Sequence, residues 1–303
     1  AEGYRLYPSA ATMALAQNKR RQRAELGALG FPVPANAVVS EAHNLMAFGE
    51  EHGWPVVAKA SRGGYDGRGV WVLDGPEAAQ RLVADTAPRG VELIVETWVP
   101  IEREIAVLVA RRANGDAVVY PVVETVQVNG ICREILAPAP IDSTLAREAE
   151  RIGLQIAEAV DAVGVLAIEM FVVGERHSNA FAGKRILINE LASRPHNSGH
   201  YSIEGCVTSQ FENHLRAVLD WPLGDPALVA PAVVTVNVLG GPPGNDPQKE
   251  LSRALRDPRV KVHLYGKEAR PGRKLGHVTA LGQTADAARA SAVRAVEILT
   301  GGK

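Results

Sequence analysis

Glu169 and Glu190 sit in LAIEMFVV and ILINELAS, two apolar runs of strand length, each interrupted by one carboxylate. A polar segment containing glycine, residues 174–185, links the runs as a connection between paired strands would. Two carboxylates facing each other across such a pair raise each other's pKa unless a cation lies between them. Oxygen donors suit Mg²⁺, or Mn²⁺ in its place, held together with substrate phosphates, and Asn189 can add an amide oxygen. Either glutamate alone could as well face solvent from a half-exposed strand. The two together favour a metal, provided a phosphate-binding element exists elsewhere in the chain.

Such an element precedes them. RGGYDGRG, residues 62–69, follows the apolar run WPVVAKAS, which carries Lys59. Glycines leave backbone N–H groups unobstructed, and such groups cradle phosphate oxygens when a loop folds over a nucleotide. The spacing does not make GxxxxGK[ST], and VWVL after Gly69 reads as a strand, not a helix. The stretch is therefore expected to be a flap between two strands. A lysine inside V-V-A-K-A is costly to desolvate unless an anion meets it, which points to a nucleoside triphosphate. A plain flexible hairpin is the alternative on glycine spacing alone.

Two further clusters are rich in donors. LASRPHNSGHYS, directly after Glu190, carries Arg194, His196, Asn197, Ser198 and His200, with Pro195 and Gly199 opposing a regular helix. The HxxxH spacing lacks the glutamate of HExxH, so a substrate loop is expected there rather than zinc. KEARPGRKLGH, residues 267–277, is either a solvated hairpin or a grip for a phosphate ester, where arginine's fork is effective.

The elements that must hold these clusters alternate between helical and extended patterns, giving an α+β chain without short repeats. Helices are expected over 10–29, ended by Gly30, and over 41–52, capped by Ser40 and stopped at Gly53. Others are expected over 76–86, 143–163 and 285–299. Strands are expected near 37–39, 55–60, 70–73, 92–96, 104–111 and 117–126, the last two joined by Asn114-Gly115. The proline-rich stretch 222–231 suggests a boundary before a β-rich tail.

The chain of 303 residues has Lys+Arg 33 against Asp+Glu 34, a net charge of -1, and no extended basic stripe. Nucleic acid is therefore a poor partner. Two cysteines without CxxC spacing fit a reducing compartment. No apolar run approaches the roughly 20 residues of a membrane helix, and the N-terminal residues lack a signal-peptide layout, so a cytoplasmic protein without membrane attachment is expected.

AKASRGGYDGRG, AIEMF, INELASRPHNSGH and KEARPGRKLGH, in this order, resemble the ATP-grasp family of 5-(carboxyamino)imidazole ribonucleotide synthases. The likeness runs from about Asn18 to Gly276. It implies an ATP-grasp fold, two α+β subdomains clamping ATP, with a small β-rich C-terminal domain. The expected division is a connector over 1–39, a small lid subdomain over 40–97, a large subdomain with the metal site over 98–221, and the C-terminal domain over 222–303. It implies that Lys59 meets the nucleotide phosphates while Gly64, Tyr65, Asp66, Gly67, Arg68 and Gly69 form the flap. Glu96, Thr97, Trp98 and Val99 would hold the adenine, and Glu104 the ribose. Glu169 and Glu190 would bind Mg²⁺, with Asn189 beside the phosphates.

The same resemblance implies that Tyr65, Asp66, Arg68, His196 and Asn197 act on the bicarbonate-derived group. Arg194, Asn197, Ser198, Lys267, Arg273 and Lys274 would bind aminoimidazole ribonucleotide. Arg23 is preferred over Lys19 as an early nucleotide contact, and Gln127, where relatives often have histidine, receives no role. The implied reaction forms carboxyphosphate from ATP and bicarbonate and carboxylates the ribonucleotide's amine, in a homodimer. Such enzymes usually carry an N-terminal α/β domain that helps bind the ribonucleotide; the likeness begins after it, so either these residues are part of a longer chain or the protein lacks part of that substrate site. The rival readings are another ATP-grasp ligase, using formate or biotin, and a nucleotide-binding module without catalysis; intact Lys59, Glu169 and Glu190 speak against the second.

Overall fold

Short apolar runs separated by tight turns pair here into two antiparallel sheets. The computed structural model describes residues 5–64, 67–178, 181, 183, 185–241 and 246–301. The smaller sheet contains β1 (Asn36–Val39), β2 (Val56–Ala60), β3 (Val70–Leu73) and β4 (Leu93–Thr97), in the order β1-β4-β2-β3. The helices Ala42–His52 and Pro76–Thr86 share a core with this sheet, where Leu45, Phe48, Ala79 and Leu82 meet Val56 and Val95. Trp54 joins this core because residue 49 is glycine: a Cβ there would stand 2.2 Å from the indole ring.

The larger sheet has nine strands: β5 (Ile101–Arg111), β6 (Ala117–Val119), β7 (Val123–Val128), β8 (Ile131–Ala137), β9 (Gly164–Val173), β10 (Ile186–Ala192), β11 (Ala232–Leu239), β12 (Val260–Leu264) and β13 (Lys274–Gly282). Its order is β10-β9-β5-β7-β8-β11-β13-β12, with β6 beside β5. The Ser143–Ala159 helix presents Ala149, Ile152 and Ile156 to Val107 and Val109 of β5. Each fully buried isoleucine of this kind contributes about 1.5–3 kcal/mol. Gly153 lets the helix approach, since a Cβ there would lie 2.9 Å from Val107. The Ala285–Leu299 helix covers β11 and β13 through Ala288, Ala292, Ala295 and Leu299. Because β8 pairs with β11, the strands of 98–221 and of 222–303 lie in one sheet.

Four expected elements differ, and one of them is the helix expected over 143–163, which ends at Ala159 ahead of β9. The helix expected over 10–29 is two helices, Ala10–Ala16 and Lys19–Ala28, because Asn18 caps the second by accepting from the Arg21 N–H. The strand expected over 117–126 breaks at Tyr120–Val122, where Pro121 lacks the N–H a ladder requires. The helix expected to begin at Ser40 is capped by Glu41, whose side chain and that of Asn44 form a reciprocal box. Among the described residues no helix is long and apolar enough to cross a membrane.

Candidate active site

β2 and β3 pair in register, Lys59 opposite Val70, so residues 61–69 leave and re-enter one hairpin as a flap. Gly67 adopts φ 75° and packs on the turn between β7 and β8, where its added Cβ would stand 3.2 Å from the Gly130 Cα. The flap thus faces the larger sheet across a cavity of about 540 Å³. Gly64, Gly67 and Arg68 line that cavity. Tyr65 and Asp66, expected in the flap, lie outside the described residues.

Lys59 points from β2 into a buried network. Its Nζ lies 2.7 Å from Glu96 Oε2 and donates to Asn189 Oδ1 at 3.2 Å. The other Glu96 oxygen accepts from Arg23 Nε at 2.7 Å, and Arg23 Nη2 donates to the Asn189 carbonyl at 2.7 Å. Burial works against the Glu96 charge, but Arg23 and Lys59 override it and hold the carboxyl at about 2. Burial lowers the Lys59 pKa, and Glu96 opposes that shift.

Glu169 and Glu190 are cross-strand partners in β9 and β10, at a register shift between Ile188 and Glu190. The resulting bulge leaves Asn189 beside both, its Nδ2 donating to Glu169 Oε2 at 3.4 Å. Burial first, then the charges of Glu190 and Glu104, push the Glu169 carboxyl up to about 7, although its side chain retains 30% exposure. Burial likewise raises Glu104 to about 7. Glu169 and Glu104 thus lie close together without a direct ion-pair partner for their charges among the described residues, whereas Glu190 is paired with Lys19. Among the described residues no group of three or more His, Cys, Asp and Glu could hold a metal ion. Two carboxylates fit a hard cation that keeps waters and phosphate oxygens as its remaining ligands.

The loop after β10 brings up the polar side chains. The Ser198 N–H donates to His196 Nδ1 at 3.3 Å, so the neutral ring carries its proton on Nε2, 3.3 Å from Glu169 Oε1. Burial, then Arg194 and Lys274, lower the His196 pKa to about 3, which keeps the ring neutral at physiological pH. Gln210 holds the loop, accepting from the His196 N–H at 2.9 Å and donating to the His196 carbonyl at 2.8 Å. Asn197 is fixed by Asn237 of β11 through two reciprocal amide bonds of 2.9 Å, and Asn237 also donates to the Cys132 carbonyl at 3.0 Å.

The cavity gathers most of the expected residues and corrects others. Trp98, Thr97, Val99 and Glu104 line one end, and Arg194, His196, Asn197 and Ser198 line the other. Gly69 is not among the lining residues, nor is Arg23, whose guanidinium is used on Glu96 and Asn189. Lys19 takes that place, ion-paired with Glu190. The reason is helical geometry: Lys19 opens its helix beside Ser61, donating its N–H to the Ser61 carbonyl at 2.9 Å, whereas Arg23 lies one turn deeper. The Glu96 line of the cavity is backed by a carboxylate turned into the buried network rather than toward a ligand. In the basic hairpin only Lys274, among Lys267, Arg273 and Lys274, reaches the lining. Lys267 Nζ stands 5.1 Å over the Tyr265 ring, and Arg273 donates to the Glu268 carbonyl at 3.2 Å. Gln210 and Asn237 were missed; Asn237 carried a signal like that of Lys59, a strongly polar residue inside an otherwise largely apolar strand, AVVTVNVL.

Family models match over this frame: an ATP-grasp domain over residues 24–211 and a phosphoribosylaminoimidazole carboxylase C-terminal domain over 233–291. The N5-carboxyaminoimidazole ribonucleotide synthase of Corynebacterium ammoniagenes is 43% identical over 302 residues, covering 98% of this chain and 72% of that protein. The Mycobacterium bovis protein of the same name is 45% identical over 290 residues, covering 93% of this chain and 65% of that protein. The crystal structure of N5-carboxyaminoimidazole synthase from Aspergillus clavatus with ADP and 5-aminoimidazole ribonucleotide superposes with a TM-score of 0.86 at 30% identity, covering 98% of this chain and 77% of that one. With a flap, a lysine network and a glutamate pair converging on one cleft, and with likeness along both sheets, the chain belongs to the ATP-grasp ligase family of N5-carboxyaminoimidazole ribonucleotide synthases.

Proposed function

We propose that this chain carboxylates 5-aminoimidazole ribonucleotide to N5-carboxyaminoimidazole ribonucleotide, using ATP and bicarbonate through carboxyphosphate, in cytoplasmic purine (IMP) biosynthesis. The observation that carries this reading is one cavity lined by the Lys59 and glycine flap, the glutamate pair, and the 196–198 loop with Lys274.

In this reading adenine lies along the backbone of 96–99 beside Val57 and Phe171, and Glu104 takes the ribose hydroxyls. Lys59, Lys19 and the N–H groups of Gly64 and Gly67 hold the phosphates. Glu169 and Glu190 hold Mg²⁺, which when bound neutralises charge on the transferring phosphoryl group. His196 orients Glu169 through Nε2–H on Oε1, and Asn189 donates to the carboxylate's other oxygen. Arg68, Arg194, Asn197 and Ser198, with Tyr65 and Asp66 of the flap, position bicarbonate and the ribonucleotide's amine. Lys274 meets the ribonucleotide from the C-terminal hairpin, with Lys267 and Arg273 on its outer arms. The chemistry is chiefly positioning and charge neutralisation, with no covalent step on a side chain.

The reading extends to a homodimer and to the domain limits 1–39, 40–97, 98–221 and 222–303. Exposed Phe211, Leu215, Leu219 and Trp221 support self-association, which sedimentation would test. The decisive assay supplies the complete protein with ATP, bicarbonate and aminoimidazole ribonucleotide. Release of ADP should require all three, and carboxylated ribonucleotide should appear. Turnover with formate in place of bicarbonate would favour another ATP-grasp ligase, and nucleotide binding without ADP release would favour a non-catalytic module.

A further inference from the structure

Arg23 reaches no part of the cavity, yet it touches two groups that do. Its Nε donates to Glu96 Oε1 at 2.7 Å, and its Nη2 donates to the Asn189 carbonyl at 2.7 Å. Glu96 gives its other oxygen to Lys59 at 2.7 Å, and Lys59 also donates to Asn189 Oδ1 at 3.2 Å. The four residues close a ring that joins the Lys19–Ala28 helix, the smaller sheet and the bulge of β10.

The geometry points to Arg23 as a positioning residue that keeps the charge of Lys59 available to nucleotide phosphates, by sharing Glu96 and by fixing Asn189. This rests on the reading that Lys59 meets those phosphates. Two cations on one carboxylate leave the ring with a net positive charge. With Arg23 replaced by a neutral residue, Glu96 and Lys59 form a neutral pair, and the attraction for a polyanion falls. A lysine would have to meet both acceptors from one nitrogen, whereas the guanidinium fork reaches them from two nitrogens at fixed geometry. Packing alone does not explain the choice. Arg23 Nη1 is buried without a hydrogen-bond partner among the described residues, a cost that methionine would avoid.

The test measures binding of an imido ATP analogue with Mg²⁺, and of adenosine, to the full chain by calorimetry. Arg23→Met should weaken the analogue about tenfold to a hundredfold and leave adenosine within about twofold. Arg23→Met with Glu96→Gln should recover most of the loss, because Lys59 alone restores the net charge. Arg23→Lys should fall between. Equal weakening of adenosine and analogue, or a double variant no better than Arg23→Met, would overturn the proposal. If Arg23→Met does not fold, the double variant carries the test: near-native affinity for the analogue supports the proposal, and loss overturns it. Lys59→Met separates the two levels. Unchanged analogue affinity there would sink the Lys59 reading and this inference with it; a large Lys59 effect beside a silent Arg23→Met would sink this inference alone.

Discussion

Replacing Asn237 by leucine tests whether the amide pair between β11 and the site loop holds the ribonucleotide end of the cavity. Asn237 is 2% exposed in a strand buried at every position, and leucine keeps its branched outline with larger methyl groups, so no cavity is left and the steric cost is that of overpacking. The variant loses three hydrogen bonds: the two of 2.9 Å shared with Asn197 and the one of 3.0 Å to the Cys132 carbonyl. At about 0.5–1.5 kcal/mol each, with part recovered from added apolar burial, the expected loss is about 2–3 kcal/mol. Half-buried Asn197 recruits water, which keeps the loss at that level rather than higher. Urea denaturation should show a lower midpoint at an unchanged slope. Steady-state kinetics should show kcat/KM for the ribonucleotide reduced about tenfold, with the Michaelis constant for ATP changed far less. A stability loss below about 0.5 kcal/mol together with unchanged kinetics would mean that the pair is incidental and that the loop is held by Gln210 alone.

Glu190→Gln should fold normally and lose most ATP turnover, because one charge of the metal pair is removed at constant shape; normal turnover would remove the metal assignment. Gly67→Ala should raise the Michaelis constant for ATP several-fold, since φ 75° and the 3.2 Å approach to Gly130 both oppose a methyl group there, and hydrogen exchange of the flap should stay fast when nucleotide is added. Burial, then His200 and His263, lower the His277 pKa from 6.5 to about 3, so the unfolded chain binds this proton first as the pH falls. Stability is therefore full above about pH 6.5 and declines toward pH 3 by about 1.4 kcal/mol per unit from this group; His277→Phe should flatten that limb in pH-dependent unfolding. Lys274→Ala should raise the Michaelis constant for the ribonucleotide more than Arg273→Ala does, since Lys274 alone of the two lines the cavity; the reverse order would move the phosphate grip outward along the hairpin.

The chemistry was legible wherever a side chain contradicted its surroundings. Lys59, Glu169 and Glu190 stand out because a charge in an apolar strand is costly unless something nearby compensates it. The hairpin that carries the flap was legible for a similar local reason: two short apolar runs around a glycine-rich stretch admit few conformations. Lys19 and Arg23 were not separable in this way. Both lie within one helix turn and have the same sign, and only the break at Asn18 and the contact with Ser61 turn Lys19 toward the cavity and Arg23 into the buried network. The role of Glu96 was hidden too, because an acidic residue at a strand end reads as solvent-facing until two cations from distant segments converge on it. Lys267, Arg273 and Lys274 look equivalent along the chain, yet the pairing of β13 with β11 and β12 brings only Lys274 to the cavity. Residue type and local pattern report the cost of placing a group, which is a short-range matter. Which group meets which depends on strand register and helix breaks, where a shift of one residue turns every side chain to the other face.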